Sequence, residues 1–246
     1  NRPAFDMKES HPESAEEKME MNGCCAEYVT AESWKVAKKP ASVSLSVAGS
    51  IPLAGLTAYQ GLMDHGKLTE GQTVLILNAS GGVGSYAVGI AKAHGATVIG
   101  SCSGRSAEYV KSLGADAIVD YTQGSIAEQA AAWCQENGKQ IDLCFDCVGG
   151  DNTKEGVTAL KDGGKIISIA NGGALADLCA AKENGSATGA GFLVQPSTDQ
   201  LDELGRLIDS GKVKVSKVTE MPLDEIVEAH KASETGRTHG KIVVLM

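Results

Sequence analysis

The residues with the clearest chemical meaning are Ala79, Gly81 and Gly84, which fill the three positions of a G-x-G-x-x-G pattern with alanine in the first. They close the run T-V-L-I-L-N-A-S-G-G-V-G at residues 73–84, an apolar stretch that ends abruptly in glycines and passes into a helix-like segment. Without a Cβ at Gly81, the backbone can approach a diphosphate closely. Glycine at position 84 lets the following helix pack tightly on the strand. The free N–H groups and the dipole of that helix's first turn would then face negative charge. The pattern gains its meaning from context: a strand precedes it, a helix follows it, and the two open a βαβ unit. The competing reading is a glycine-rich turn of another α/β fold.

The next informative segment is S-C-S-G-R-S at residues 101–106. A dinucleotide-binding protein that selects NAD usually carries Asp or Glu roughly 20 residues past the glycine loop, where it holds the ribose hydroxyls. No carboxylate stands in this segment to repel a 2′-phosphate. Ser103 can donate a hydrogen bond and Arg105 can supply charge, so the segment favours NADPH over NADH. The alternative for Arg105 is a solvated residue at a helix start.

The seven cysteines are Cys24, Cys25, Cys102, Cys134, Cys144, Cys147 and Cys179. Their number is odd and their spacing does not resemble a disulfide framework, which points to a cytoplasmic or another reducing compartment. Cys144 and Cys147 form a C-x-x-C, but within an expected strand. Residues three apart on a strand face opposite sides and do not easily chelate one ion. Cys24 and Cys25 are adjacent, with no His at ligand spacing. No metal site is expected.

The elements that must position these residues follow from the apolar pattern. The chain has 246 residues with 42% hydrophobic and only 4% aromatic residues, so its core must be built from Val, Ile, Leu and Ala. Its formal net charge of -9 argues against nucleic acid or an anionic membrane as the main partner. No apolar run is long enough to span a bilayer. Residues 1–22 read as a charged surface loop or disordered lead-in, and a short strand is expected near Ala26, Glu27, Tyr28 and Val29. Pro52 sits near the start of a helix, where its missing N–H is harmless. Strands are expected at 73–79, 97–103, 116–121, 141–148 and 164–170. Helices are expected between them at 83–94, 106–113, 125–137 and 151–160. Continuously apolar strands alternating with helices give an α/β fold with a parallel sheet covered on both faces. An amphipathic helix at 198–210 carries Leu201, Leu204, Leu207 and Ile208 on one face and stops at Gly211. A helix at 223–234 and a last strand from Lys241 to Met246 complete the chain.

Several linked segments now carry a resemblance. L-A-G-L-T-A-Y-Q-G at 53–61, N-A-S-G-G-V-G-S, K-S-L-G-A-D-A-I-V-D-Y, D-C-V-G-G and the closing T-H-G-K-I-V-V resemble the zinc-independent quinone oxidoreductase (zeta-crystallin-like) branch of the medium-chain dehydrogenase/reductase superfamily. The resemblance covers residues 24–246. It implies a Rossmann doubly wound parallel sheet at 51–210 that binds NADPH. It also implies that residues 1–50 and 211–246 are the remnant of a GroES-like β domain. The implied activity is reduction of a quinone or an activated C=C bond without zinc, and the implied assembly is a homodimer. An enoyl-thioester reductase of the same fold and a non-catalytic NADPH-binding protein are the alternatives.

The resemblance also implies site residues. Gly81, Gly82, Val83 and Gly84 would lie beneath the pyrophosphate. Ser103, Arg105 and Tyr121 would surround the adenosine 2′-phosphate. Val148 and Gly149 would approach the ribose or the nicotinamide end. Ile169 and Ala170, with Phe192, Leu193 and Val194, would flank the nicotinamide, and Thr57 would sit near it. Gly240 and Lys241 would lie near the cofactor phosphates. For the apolar members, core packing is the competing view. Tyr59 is the candidate proton donor to the developing oxyanion, or else a packing residue with a satisfied hydroxyl. Chains of this branch begin with several GroES-like strands before the A-E-Y-V stretch. One wall of the substrate cleft is therefore expected to lie outside this sequence.

Overall fold

The computed structural model describes residues 26, 28–170, 173, 175–183, 185–236 and 238–246. Glu32–Leu245 pack as one compact unit. The charged lead-in at 1–22, Cys24 and Cys25 lie outside the described residues. The strand expected near Tyr28 and Val29 does not form, since residues 28–30 are irregular.

Two helices open the unit, α1 (Leu45–Gly49) and α2 (Ile51–Tyr59), the second with its proline in the first turn as expected. A π-helical turn, Gln60–His65, continues α2. The chain then alternates: β1 (Thr73–Leu77), α3 (Gly82–Ala93), β2 (Thr97–Cys102), α4 (Ala107–Ser112), β3 (Ala117–Asp120), α5 (Ile126–Asn137), β4 (Ile141–Asp146), α6 (Asp151–Ala159) and β5 (Leu160–Ser168). After these come α7 (Leu175–Ala180), β6 (Ala187–Gly191), α8 (Thr198–Asp209), β7 (Val218–Pro222), α9 (Ile226–Glu234) and β8 (Lys241–Leu245).

The expected strands and helices from 73 to 168 all form, with ends shifted by a few residues. The largest shift is at β5, which starts at Leu160 rather than at 164 because its pairing with β4 is irregular between Ile141 and Leu143. The strands β6 and β7 and the helix α7 carry no strong apolar period, and the sequence did not announce them. β6 reads A-T-G-A-G and is mostly exposed. It forms because its backbone pairs in parallel with β5.

β1 to β6 make one parallel sheet in the order β3-β2-β1-β4-β5-β6. This is the doubly wound order, whose direction of winding reverses between β1 and β4 and leaves a crevice beyond the strand C-termini. Alternation along each strand feeds two cores. Val74, Ile76, Val98, Leu143, Phe145 and Ile167 pack with Tyr86, Ile90, Leu204 and Leu207 from α3 and α8. Leu75, Leu77, Ile99, Cys144 and Ile166 pack on the opposite face with Ile126, Ala130, Val157 and Leu175 from α5, α6 and α7. β7 and β8 form a separate two-stranded parallel sheet.

Candidate functional site

The crevice is built first by the turn between β1 and α3. Asn78 takes the left-handed conformation at φ 59°, and the Gly81 N–H donates to its carbonyl at 3.0 Å. Gly81 is the N-cap of α3 in extended conformation. A Cβ on Gly84 would lie 2.1 Å from the Asn78 carbonyl oxygen and 2.9 Å from Ala79 Cα, so the close helix-on-strand contact requires glycine there. The amides of residues 82–84 belong to the first helical turn and have no helical carbonyl behind them. With the dipole they form an anion-accepting end.

The C-terminal segment lies over this turn. Gly240 pairs with Gly81 in a parallel bridge, and its N–H donates to the Ser80 carbonyl at 3.3 Å. A Cβ on Gly240 would meet the Lys217 carbonyl oxygen at 2.0 Å. The stem of Lys241 covers Gly82, its Cδ 2.5 Å from where a Cβ would stand. Ser85 donates to Ser216 at 2.9 Å and ties the first turn of α3 to the residues before β7, which lie against Gly240. Gly81, Gly82, Val83, Gly84, Gly240 and Lys241 are thus brought together.

A second group gathers at the end of β2. Ser103 is nearly buried, and its carbonyl accepts from the Ser106 N–H at 2.8 Å, closing a one-turn helix at Gly104–Ser106. Arg105 is exposed on that turn. Tyr121, 52% exposed, is held alongside by its N–H to the Cys102 carbonyl at 3.3 Å. Asp120 is a neighbour that the sequence reading missed. It pairs in register with Cys102, and a Cβ on Gly104 would lie 2.8 Å from its Oδ2. The Thr122 hydroxyl and the Thr122 and Gly104 N–H groups hold its carboxyl below the ordinary value. The 101–106 segment has no carboxylate of its own, but the β2–β3 register brings the Asp120 carboxylate against Gly104, so the carboxylate-free subsite expected from the sequence is corrected by the strand pairing.

A third group joins the ends of β4 and β5, and Asp146 organises it. This fully buried carboxylate accepts from the N–H groups of Val148 and Gly149 at 3.0 and 2.9 Å. It also accepts from the hydroxyls of Thr153 and Ser168 at 2.7 and 2.9 Å. The Asp146 carbonyl accepts from Ile169 N–H at 3.1 Å, and Ser168 Oγ accepts from Ala170 N–H at 3.1 Å. Gly149 has φ 79°, and a Cβ there would meet Ala170 Cβ at 3.0 Å. Val148, Gly149, Ile169 and Ala170 therefore form one surface. Asp146 itself was not singled out from the sequence, although it opens the D-C-V-G-G segment.

The segment after β6 forms a wall with α2 and the π-turn. Phe192 stacks on His65 at 4.3 Å, and Leu193 is exposed. Gln60, at the start of the π-turn, accepts from Gln195 N–H at 2.9 Å and donates to the Gln195 carbonyl at 2.8 Å and to Gln200 at 2.7 Å. Val194 lines an apolar cavity of about 290 Å³ with Pro52, Leu53, Leu56 and Leu201. Thr57 is buried three residues before Gln60, and its hydroxyl donates to the Leu53 carbonyl at 2.7 Å. Tyr59 is not brought to this wall. Its ring meets His94 edge-on at 6.2 Å, and His94 is the C-cap of α3, the end away from the glycine turn. Burial, with Glu203 and Asp64 nearby, raises its hydroxyl above the ordinary value.

Among the described residues no group of three or more His, Cys, Asp or Glu is placed to hold a metal ion. Burial pushes the Cys144 thiol well above its ordinary value, so it offers no ready thiolate, and the half-buried Cys147 is raised in the same direction. Burial, helped by Asp120, pushes Cys102 up to about 11. The described residues do not fit a zinc ion.

A doubly wound sheet with a glycine-capped helix at its switch point defines a Rossmann-type dinucleotide-binding fold. A model of the zinc-binding dehydrogenase family matches residues 113–244. The chain is 31% identical over 231 residues to a probable zinc-binding oxidoreductase, mitochondrial, of Arthroderma benhamiae, covering 90% of this chain and 69% of that protein. It is 33% identical over 228 residues to the NADPH-dependent alkenal/one oxidoreductase, chloroplastic, of Arabidopsis thaliana, covering 90% of this chain and 53% of that one. Among solved structures, the quinone oxidoreductase from Coxiella burnetii superposes with a TM-score of 0.74 at 31% identity, over 85% of this chain and 63% of that one. The chain belongs to the zinc-binding dehydrogenase family of the medium-chain dehydrogenase/reductase superfamily, in its quinone oxidoreductase branch. It spans between about half and two thirds of the length of these relatives.

Proposed function

We propose that this protein is an NADPH-dependent, zinc-independent reductase of quinones or α,β-unsaturated carbonyls, with the cofactor laid along the C-terminal edge of the sheet. The carrying observation is the open first turn of α3 at the switch point, with Gly240 and Lys241 lying over it. The amides of residues 82–84 and the Lys241 ammonium would hold the diphosphate. Ser103, Arg105 and Tyr121 would hold the 2′-phosphate. Val148 and Gly149, fixed by Asp146, would support the ribose and nicotinamide end, with Ile169, Ala170, Thr57 and residues 192–194 beside it.

A bound reduced nicotinamide supplies a hydride for the electrophilic carbon of an enone or for a quinone. The residues of this chain orient the ring and exclude water from one side through Phe192, Leu193 and Val194. Orientation of this kind is where most of the rate gain without a metal would come from. The domain reading belongs to the same proposal: residues 51–210 bind cofactor, and residues 1–50 and 211–246 are a GroES-like remnant, a reading that the separate β7–β8 sheet supports. A homodimer through the exposed edge strand β6 and a cytoplasmic or other reducing compartment complete it.

Steady-state NADPH oxidation with a panel of quinones, 2-alkenals and enoyl thioesters tests the reading. Turnover of quinones or alkenals is expected. Turnover confined to enoyl thioesters would transfer the protein to that substrate class, and cofactor binding with no turnover of any panel member would leave it a binding protein.

A further inference from the structure

We propose that His239 is a positioning residue for cofactor choice: it latches the turn at residues 103–106 to the segment over the glycine turn, and so sets the preference for NADPH over NADH. The inference rests on reading residues 103–105 as the 2′-phosphate subsite.

His239 directly precedes Gly240 and Lys241, and its Nε2 lies 2.9 Å from the hydroxyl of Ser106. Ser106 is 1% exposed, and its N–H closes the one-turn helix onto the Ser103 carbonyl. The His239 ring lies nearly parallel to that of Tyr109, at 6.4 Å and 18°. The Tyr109 hydroxyl accepts from the Lys217 N–H at 3.1 Å, and the Lys217 carbonyl accepts from the Lys241 N–H at 2.8 Å. Two links therefore tie this region to the C-terminal segment, and only the first reaches the β2–α4 turn itself, the second starting from α4. One runs through His239 and Ser106, the other through Tyr109 and Lys217. The C-terminal segment is itself bridged to Gly81.

The consequence follows from ligand geometry. The diphosphate and the 2′-phosphate belong to one molecule, so their separation is limited. A turn fixed relative to the glycine loop meets the 2′-phosphate with its donors already placed, and the cost of ordering them falls on folding rather than on binding. NADH has no 2′-phosphate and gains nothing from that placement. Releasing the latch should therefore weaken NADPH and spare NADH, which a general packing role for His239 would not do.

The test is equilibrium binding of NADPH and of NADH to the whole chain, read by cofactor fluorescence. His239→Ala is expected to weaken NADPH about tenfold and to leave NADH within about twofold. His239→Gln, whose amide can replace Nε2 toward Ser106, is expected to restore most of the loss. Ser106→Ala is expected to reproduce it, and the double alanine variant should be no worse than either single one, as for two partners of one interaction. If His239→Ala does not fold, the Ser106→Ala and His239→Gln comparisons carry the same decision. Equal weakening of both cofactors, no change in either, or additive losses in the double variant would overturn the inference. A wild-type chain that binds neither cofactor would instead remove the cofactor reading itself, a result visible before any substitution is made.

Discussion

The carbonyl oxygen of Asn78 occupies the space that a side chain on Gly84 would need, with only 2.1 Å between that oxygen and the Cβ position. The obstacle is backbone, so no rotamer change relieves it. Gly84→Ala must push α3 away from β1 or distort the left-handed turn at Asn78. Overpacking of this kind costs about 1–3 kcal/mol. We expect a lower denaturant midpoint with an unchanged slope, and NADPH affinity reduced further than stability alone accounts for. An alanine variant as stable as wild type would show that the turn is more pliable than its contacts indicate.

Asp146 gives a second prediction. Its carboxylate accepts from two backbone amides and two hydroxyls in a fully buried setting. Asp146→Ala leaves those donors unpaired and should cost roughly 3 kcal/mol or more. Asp146→Asn keeps one acceptor oxygen for Val148 and Gly149, and the hydroxyls of Thr153 and Ser168 can turn to accept from its amide. The asparagine variant should therefore unfold closer to wild type than to the alanine variant. Thermal or urea unfolding of the three proteins decides this.

Arg105 tests the cofactor preference. It is exposed, and among the described residues no carboxylate pairs with it, so its guanidinium is free to meet a phosphate. Arg105→Ala should weaken NADPH by roughly tenfold and leave NADH nearly unchanged, with the NADPH loss shrinking at high salt. Equal affinities of the wild type for the two cofactors would contradict the preference.

Glu155 supplies a pH dependence. The Ala127 N–H at 3.0 Å and the Ser125 hydroxyl at 2.6 Å hold its carboxyl below the ordinary 4.5, fastening α6 to the start of α5. A depressed carboxyl contributes stability that is fully present above the unfolded-state value and is lost as pH falls through the folded-state value. Solvent screening keeps the contribution to about 1 kcal/mol. Glu155→Gln should therefore unfold more easily than wild type at pH 7, and the difference should close below pH 4.5. A gap that is constant with pH would assign the effect to packing.

The sheet was legible because β1, β2, β4 and the C-terminal half of β5 are largely apolar stretches separated by helix-length segments, and burial on both faces requires that composition. The glycine turn was legible because steric need at Gly84 appears directly as residue type. What escaped was set by pairing across the sheet. Asp120 reaches Gly104 through the β2–β3 register, and β6 exists because β5 offers it an edge. Asp146, Gln60 and His239 act through hydrogen bonds to residues distant in sequence or in other elements, which no local period records. Tyr59 shows the converse: its residue type suited a proton donor, but the helix turns its ring toward His94. We expect Tyr59→Phe to leave NADPH binding and turnover unchanged.

The most direct test of the central claim is a backbone amide NMR titration of the chain with NADPH. Saturable shifts are expected at residues 82–84, 103–106 and 240–241, at the C-terminal edge of the sheet. Shifts confined to the opposite edge, around Gly138 and Asp142, or no shifts at saturating cofactor, would contradict the claim.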